Sequence, residues 1–294
     1  MNKRRKQKVW DARTLNQLKE RTLAWDRHER SYLEYVPQNY NGSHAVPLVI
    51  GLHGRTCKAI NGFEGQALLL ACNLKGWIMV SPQGMKDIAG ATGWNAGIRH
   101  TQFGFHVDLL KDVDDVGFIC AIIEDMSVRY NIDRDRVFVL GFSMGGFMAN
   151  RLAIERGNMF RAICSVNGTI GNLIKNEVPK CPVNVLHIHG TDDPTVPYSP
   201  DPKSNPHGVG AESVLDFWRK YNQCSGQPQV YQYQKIVEEP LSFERRLYSN
   251  GVGGARAGLI VAKGGVHTWY DHFQHDIDYS VEIMHFFDEA PLLI

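Results

Sequence analysis

Short, nearly continuous apolar runs alternate along this chain with longer segments of helical periodicity, the pattern of successive βα units. Apolar runs over 47–53, 77–80, 136–140, 162–166, 183–188 and 257–262 predict strands covered on both faces, as in a parallel sheet. Residues 32–36 (YLEYV) alternate instead and predict an antiparallel edge strand. Helices are expected over about 62–75, 114–130, 144–157, 209–222 and 277–289. The fold class that follows is α/β: a single domain built on a mostly parallel central sheet flanked by helices. The least regular stretches are 194–210 and 238–256, and loops of that size in a compact domain are candidate substrate-facing or lid segments.

Composition narrows the function. The chain has 294 residues, enough for one large α/β domain, and a net charge of +1 that gives no sign of nucleic-acid binding. Its one basic run, Lys3 to Lys8, reads as a solvated tail, so 1–27 is taken as a basic extension and 28–294 as the catalytic domain. With no apolar run of membrane-spanning length and no secretory h-region after the basic residues, a cytoplasmic chain without membrane contact is expected, or a secreted one if a leader has been removed. The six cysteines show no metal-ligand spacing, so no metal is expected; a Cys181–Cys224 bridge would be possible in an oxidising compartment, which the sequence does not establish.

The chemistry concentrates where VFVLGFSMGGFMANRL (137–152) passes from strand to helix through G-x-S-x-G. On such a turn Ser143 is held exposed above the sheet, and the helix N-terminus aims free amides at a developing oxyanion, Met144 N–H among them. A serine needs a base and an acid, which in this architecture follow it in chain order at later strand ends. HGTDDPTVP (189–197) offers Asp192 or Asp193; Asp193 is favoured because Pro194 and the following turn fix it, whereas Asp192 reads as a turn cap. GGVHTW (264–269) offers His267 as base; His187 and His189 lie inside a strand and read as structural, and His272 and His275 as solvent-exposed. A second oxyanion donor is expected after Leu52-His53-Gly54, from Arg55 N–H or, as a weaker candidate, Thr56 N–H, with His53 bracing the loop.

Taken together, LHG (52–54), SPQG (81–84), GWN (93–95), VDDVGF (113–118), GFSMGG (141–146), HGTDDPTVPY (189–198), FWRKYNQC (217–224) and GGVHTW (264–269) resemble the α/β-hydrolase esterases of the polyhydroxybutyrate depolymerase-like and feruloyl esterase-like type. The resemblance runs from about residue 30 to 287. It implies Ser143 as nucleophile, Asp193 as acid and His267 as base, with Asp114 and Asp115 holding a loop; helix capping already explains that acidic pair. The chain departs from the pattern in lacking a glycine pair after His53-Gly54, where a cationic Arg55 would bias the site toward acidic or polar substrates. Trp94 and Trp269 are candidate aromatic walls of a substrate pocket. The expected function is a serine carboxylesterase working through an acyl-enzyme, without metal or organic cofactor. Its substrate would be a small or oligomeric ester of feruloyl, other aromatic acyl or short hydroxyalkanoate type. Alternatives are a peptidase or acyltransferase on the same triad, or a silent binding scaffold, for which loss of a triad member would be expected.

Overall fold

The computed structural model describes residues 17–293 apart from 64–65, 103–104, 108–109, 111, 200, 202–206 and 272–273. Ten strands form one sheet: β1 (Lys19–Trp25), β2 (His28–Tyr35), β3 (Val46–Leu52), β4 (Ile78–Pro82), β9 (Ile132–Phe142), β10 (Ala162–Val166), β11 (Asn184–Gly190), β12 (Gln229–Gln232), β13 (Ser242–Tyr248) and β14 (Ala257–Lys263). Two small hairpins, β5 (Met85–Lys86) with β6 (Thr92–Gly93) and β7 (His100–Gln102) with β8 (Phe105–Val107), stand apart from it. The sheet order is β1-β2-β4-β3-β9-β10-β11-β14-β13-β12. Its six central strands, β4 to β14, run parallel, and an antiparallel pair closes each edge.

The parallel centre is where the chain is most continuously apolar. Every residue of β3, β10 and β11 is buried, which requires cover on both faces. The period-2 alternation of strand side chains sorts them between two layers. Leu48, Ile50, Val137 and Val139 face the layer of α2 (Asp115–Arg129), α3 (Met144–Arg156) and α4 (Ala211–Tyr221). Val49, Phe138 and Leu140 face that of α1 (Gln66–Lys75) and α5 (Tyr279–Asp288). Two of the helices are started by an aspartate cap. Asp114 caps α2 by accepting from Gly117 N–H, and Asp278 caps α5 by accepting from Ser280 and Val281 N–H. Asp115, fully buried, pairs with Arg30 at 2.7 Å and accepts from Asn95 N–H, tying α2 to β2 and to the loop carrying Trp94.

Several expectations are corrected. The sheet begins by Lys19, so the boundary at residue 28 falls inside the β1–β2 hairpin and the 1–27 segment is not all extension; the basic run 3–8 lies outside the described residues. Residues 238–256 are no lid, because Ser242–Tyr248 pairs along its whole length with β14. The other proposed lid, 194–210, lies partly outside the described residues. All six cysteines are free, Cys181 and Cys224 included. No helix among the described residues is long and apolar enough to cross a membrane, and none of their His, Cys, Asp and Glu side chains cluster in groups that could hold a metal ion.

Candidate active site

Four strand ends meet at the C-terminal edge of the parallel sheet: β3 leads into His53-Gly54, β9 into Ser143, β11 into Asp193 and β14 into His267. Ligand sites of open α/β sheets lie at this edge.

Ser143 joins β9 to α3 with φ 56° and ψ −121°, a left-handed conformation that a non-glycine residue adopts only under constraint. Its N–H donates to Val166 C=O at 2.8 Å, and its C=O accepts from Gly146 and Phe147 N–H. The hydroxyl makes no cap bond, so the side chain is not spent on starting the helix. Met144 N–H, the first of the helix, has no intrahelical acceptor and points out of the N-terminus. Gly54 lies alongside: a Cβ placed there would sit 3.4 Å from Ser143 Cβ.

Asp193 is buried (5% exposed) and its two oxygens have separate tasks. Oδ1 accepts from Thr195 N–H (2.8 Å) and Val196 N–H (2.9 Å), fixing the carboxylate to its own turn. Oδ2 accepts from His267 Nδ1–H at 2.6 Å. That bond leaves Nε2 of His267 as the unprotonated nitrogen, the form a general base requires. Phe142, immediately before Ser143, packs its ring against the His267 imidazole at 4.9 Å. Asp192, by contrast, is exposed and accepts from the Thr191 hydroxyl, the turn role expected for it.

On the β3 side, Thr56 N–H donates to Thr92 C=O and Cys57 N–H to Gly54 C=O. Of the amides of Arg55, Thr56 and Cys57, this leaves that of Arg55 without a backbone acceptor. The Arg55 guanidinium is not a free cation: it pairs with Asp87 at 2.6 Å. Burial pushes the Asp87 carboxyl up, but Arg55 and the amides of Ala91 and Ala89 outweigh it and hold the group below the ordinary carboxylate range. The expected cationic bias is therefore compensated by Asp87, a partner that nothing in the sequence marked.

His53 braces the loop as expected. Nδ1–H donates to Gly54 C=O (2.7 Å), and Nε2 accepts from Gly84 N–H (2.9 Å). Trp94 Nε1–H donates to His53 C=O at 2.8 Å and its ring lies 4.8 Å from the imidazole. Trp94 is thus a buried brace, 1% exposed, and not a pocket wall. Trp269 is likewise buried at 9% and donates to the Ser280 hydroxyl beneath the His267 loop. His275 is half-buried and bonded to Glu239, a correction to its expected exposure; His272 lies outside the described residues.

One residue the sequence reading passed over ties the site together. Asn167, buried with φ 48° at the end of β10, donates from Nδ2 to Thr268 C=O (3.1 Å) and accepts on Oδ1 from Gly190 N–H (3.3 Å). It thereby links the strand beside Ser143 to both the acid and base loops. The Asn167-Gly168 dipeptide at a strand end was the available signal, since asparagine tolerates positive φ.

Burial pushes His53 down from 6.5 to about 4, and lowers His187 and His189 as well. Between those values the unfolded chain takes up protons that the folded chain refuses. This contribution to stability is therefore complete above pH 6.5 and is lost as pH falls toward 4. His53 alone accounts for about 3 kcal/mol. Urea midpoints measured from pH 7.5 to 4.5 are expected to fall steeply, with a shallower fall in His53→Gln; equal slopes for the two would contradict this.

A phospholipase/carboxylesterase family model matches residues 115–215, which include Ser143 and Asp193. The chain is 29% identical over 236 residues to NocK, a protein of Nocardia uniformis subsp. tsuyamanensis named as an esterase, covering 76% of this chain and 65% of that protein. It is 26% identical over 250 residues to feruloyl esterase B of Piromyces equi, covering 81% of this chain and 42% of that one. The chain thus spans less than two thirds of the length of either relative. Among solved structures, acetyl xylan esterase from Aspergillus awamori superimposes with a TM-score of 0.64 at 15% identity, over 91% of this chain and 99% of that one. By its sheet order, its strand-end site and these likenesses, the chain has the α/β-hydrolase fold, and the sequence relatives named here are esterases.

Proposed function

We propose that this protein is a serine carboxylic-ester hydrolase that works through an acyl-enzyme. The observation that carries the reading is the 2.6 Å bond from His267 Nδ1–H to a buried, turn-fixed Asp193, at the same sheet edge as a strained Ser143 whose hydroxyl caps nothing. In the proposed cycle His267 Nε2 takes the Ser143 proton as Oγ attacks the ester carbonyl. Met144 N–H and Arg55 N–H stabilise the oxyanion, and His267 then gives the proton to the departing alcohol. Water, activated by the same imidazole, cleaves the acyl-enzyme. None of these steps draws on a cofactor.

Aromatic acyl esters of the feruloyl type are the favoured substrates, with short hydroxyalkanoate esters second. The support is the feruloyl esterase among the relatives. The Phe142 ring beside His267 also offers an aromatic surface at the reacting centre, a part that buried Trp94 and Trp269 do not play. Six free thiols support a reducing, cytoplasmic location. Turnover of methyl ferulate, p-nitrophenyl esters of increasing chain length and a hydroxybutyrate oligomer tests the assignment. The highest kcat/KM is expected on methyl ferulate; hydrolysis of the oligomer alone would move the substrate class, and no hydrolysis of any ester would overturn the reading.

Asp193→Asn is expected to lower kcat by about 10⁴-fold, since an amide holds the imidazole in the wrong tautomer. Asp192→Asn should stay within a few-fold of the parent. A larger loss in Asp192→Asn would exchange the roles of the two residues.

A further inference from the structure

Asp193 Oδ2 faces a second imidazole. His189, fully buried on β11, has Nε2 2.8 Å from Val196 C=O and 3.6 Å from Asp193 Oδ2. Both neighbours are acceptors, so Nε2 must carry the proton. Nδ1 of the neutral ring is then an acceptor, and it lies 3.1 Å from His187 Nε2, which must donate to it. A chain of imidazoles therefore runs from the core to the acid: His187 to His189, and His189 to the turn that holds Asp193.

Two consequences follow for the carboxylate. Val196 supplies one of the two amides that fix Asp193 Oδ1, and His189 holds the carbonyl of that same residue, so the turn is clamped on both sides of one residue. Nε2 also lies 3.6 Å from the oxygen that His267 uses, so the clamp stands directly beside the acid. The other polar groups around His189 do not compete for that position. Tyr198 meets it edge-on at 5.8 Å with its hydroxyl on Glu212 of α4, and His267 approaches Asp193 from the β14 side.

We propose that His189 is a positioning residue for the Asp193–His267 pair, acting through the 193–196 turn; its kinetic consequence rests on the ester-hydrolase reading above. A merely structural histidine would fill space and satisfy the core. This one sets how firmly the acid holds the base.

Two amide replacements separate these roles. Glutamine carries its N–H near the place of Nε2, whereas asparagine is too short to reach Val196 C=O. With p-nitrophenyl acetate, His189→Asn is expected to lower kcat ten- to a hundred-fold with KM unchanged within twofold, and to move the acid limb of kcat/KM to lower pH. His189→Gln should stay within about threefold of the parent. Independently of turnover, the far-downfield proton resonance of the His267–Asp193 bond, assigned by its loss in His267→Gln, should broaden or move upfield in His189→Asn and persist in His189→Gln. Wild-type kinetics and resonance in His189→Asn would overturn the proposal, as would equal impairment in both variants. If His189→Asn does not fold, ¹⁵N-histidine spectra of the parent decide: His189 must be the neutral Nε2–H tautomer, and an Nδ1–H tautomer contradicts the clamp. If the parent hydrolyses no ester yet the resonance responds as described, the positioning role stands and the ester-hydrolase reading fails.

Discussion

Ester hydrolysis falls by roughly 10⁴-fold or more in Ser143→Ala, while the thermal transition stays close to that of the parent. Both halves of this expectation come from the geometry. The hydroxyl of Ser143 caps no helix, so its removal leaves no backbone group unsatisfied. Alanine keeps the Cβ and therefore the strain of φ 56°, which the bond from Ser143 N–H to Val166 C=O and the pairing of β9 with β10 already hold in place. Ser143→Gly distinguishes strain from chemistry. It should be as inactive as the alanine variant yet about 1 kcal/mol more stable, because glycine adopts this conformation without steric cost. Retained activity in Ser143→Ala would remove the serine from the mechanism. A large loss of stability would mean that the residue is structural after all.

Gly145→Ala is expected to be among the most damaging single methyls in the site. A Cβ at Gly145 would lie 2.1 Å from Leu52 C=O and 2.9 Å from His53 C=O, both backbone atoms at the end of β3. Backbone cannot rotate away as a side chain can, so α3 and the His53-Gly54 loop must separate. The cost is about 3 kcal/mol, the upper part of the range for overpacking, and lowers Tm by roughly 6–10 °C. The same displacement moves Arg55 N–H away from Ser143, so residual folded protein should also lose activity. Gly90→Ala is a useful control. A Cβ there meets nothing within 4 Å, and with φ 79° its cost is conformational alone. A Gly145→Ala variant with parental Tm and kcat would show that close approach of α3 to β3 is not what this glycine provides.

These two positions also explain why the sequence was informative here. GFSMGG encodes a chain passing within van der Waals reach of its neighbours, and that demand leaves small residues in a recognisable spacing. The parallel strands were legible for a related reason, since burial on both faces leaves continuous apolar runs such as PLVIGL and AICSV. The sheet edges were not. In β1 (KERTLAW) no residue is fully buried, and in β13 (SFERRLY) only Phe243 is, so neither leaves a hydrophobic pattern to read. β12 is exposed throughout.

Within the site, Asp193 and His267 were legible because strand ends followed by tight turns confine where an acid and a base can stand. The residues that hold them were not. Asp87 reaches Arg55 across 32 positions, and Asn167 joins Thr268 across 101, separations over which sequence carries no pairwise signal. His189 was read as structural because it alternates with apolar residues inside a strand. That reading was right about its burial and silent about the carboxylate it faces. Trp94 and Trp269 show the converse error. An aromatic near a motif suggests a pocket wall, yet each has an indole N–H that needs a partner, and finding one drew both rings into the core.

The central claim is that Ser143 is an activated nucleophile, and covalent labelling tests it most directly. The parent protein and Ser143→Ala are incubated with an alkyl fluorophosphonate, and intact mass and peptide maps are then recorded. One adduct per chain is expected, on the peptide that carries Ser143, with none in the variant; an unmodified parent, or an adduct on any other residue, would contradict it.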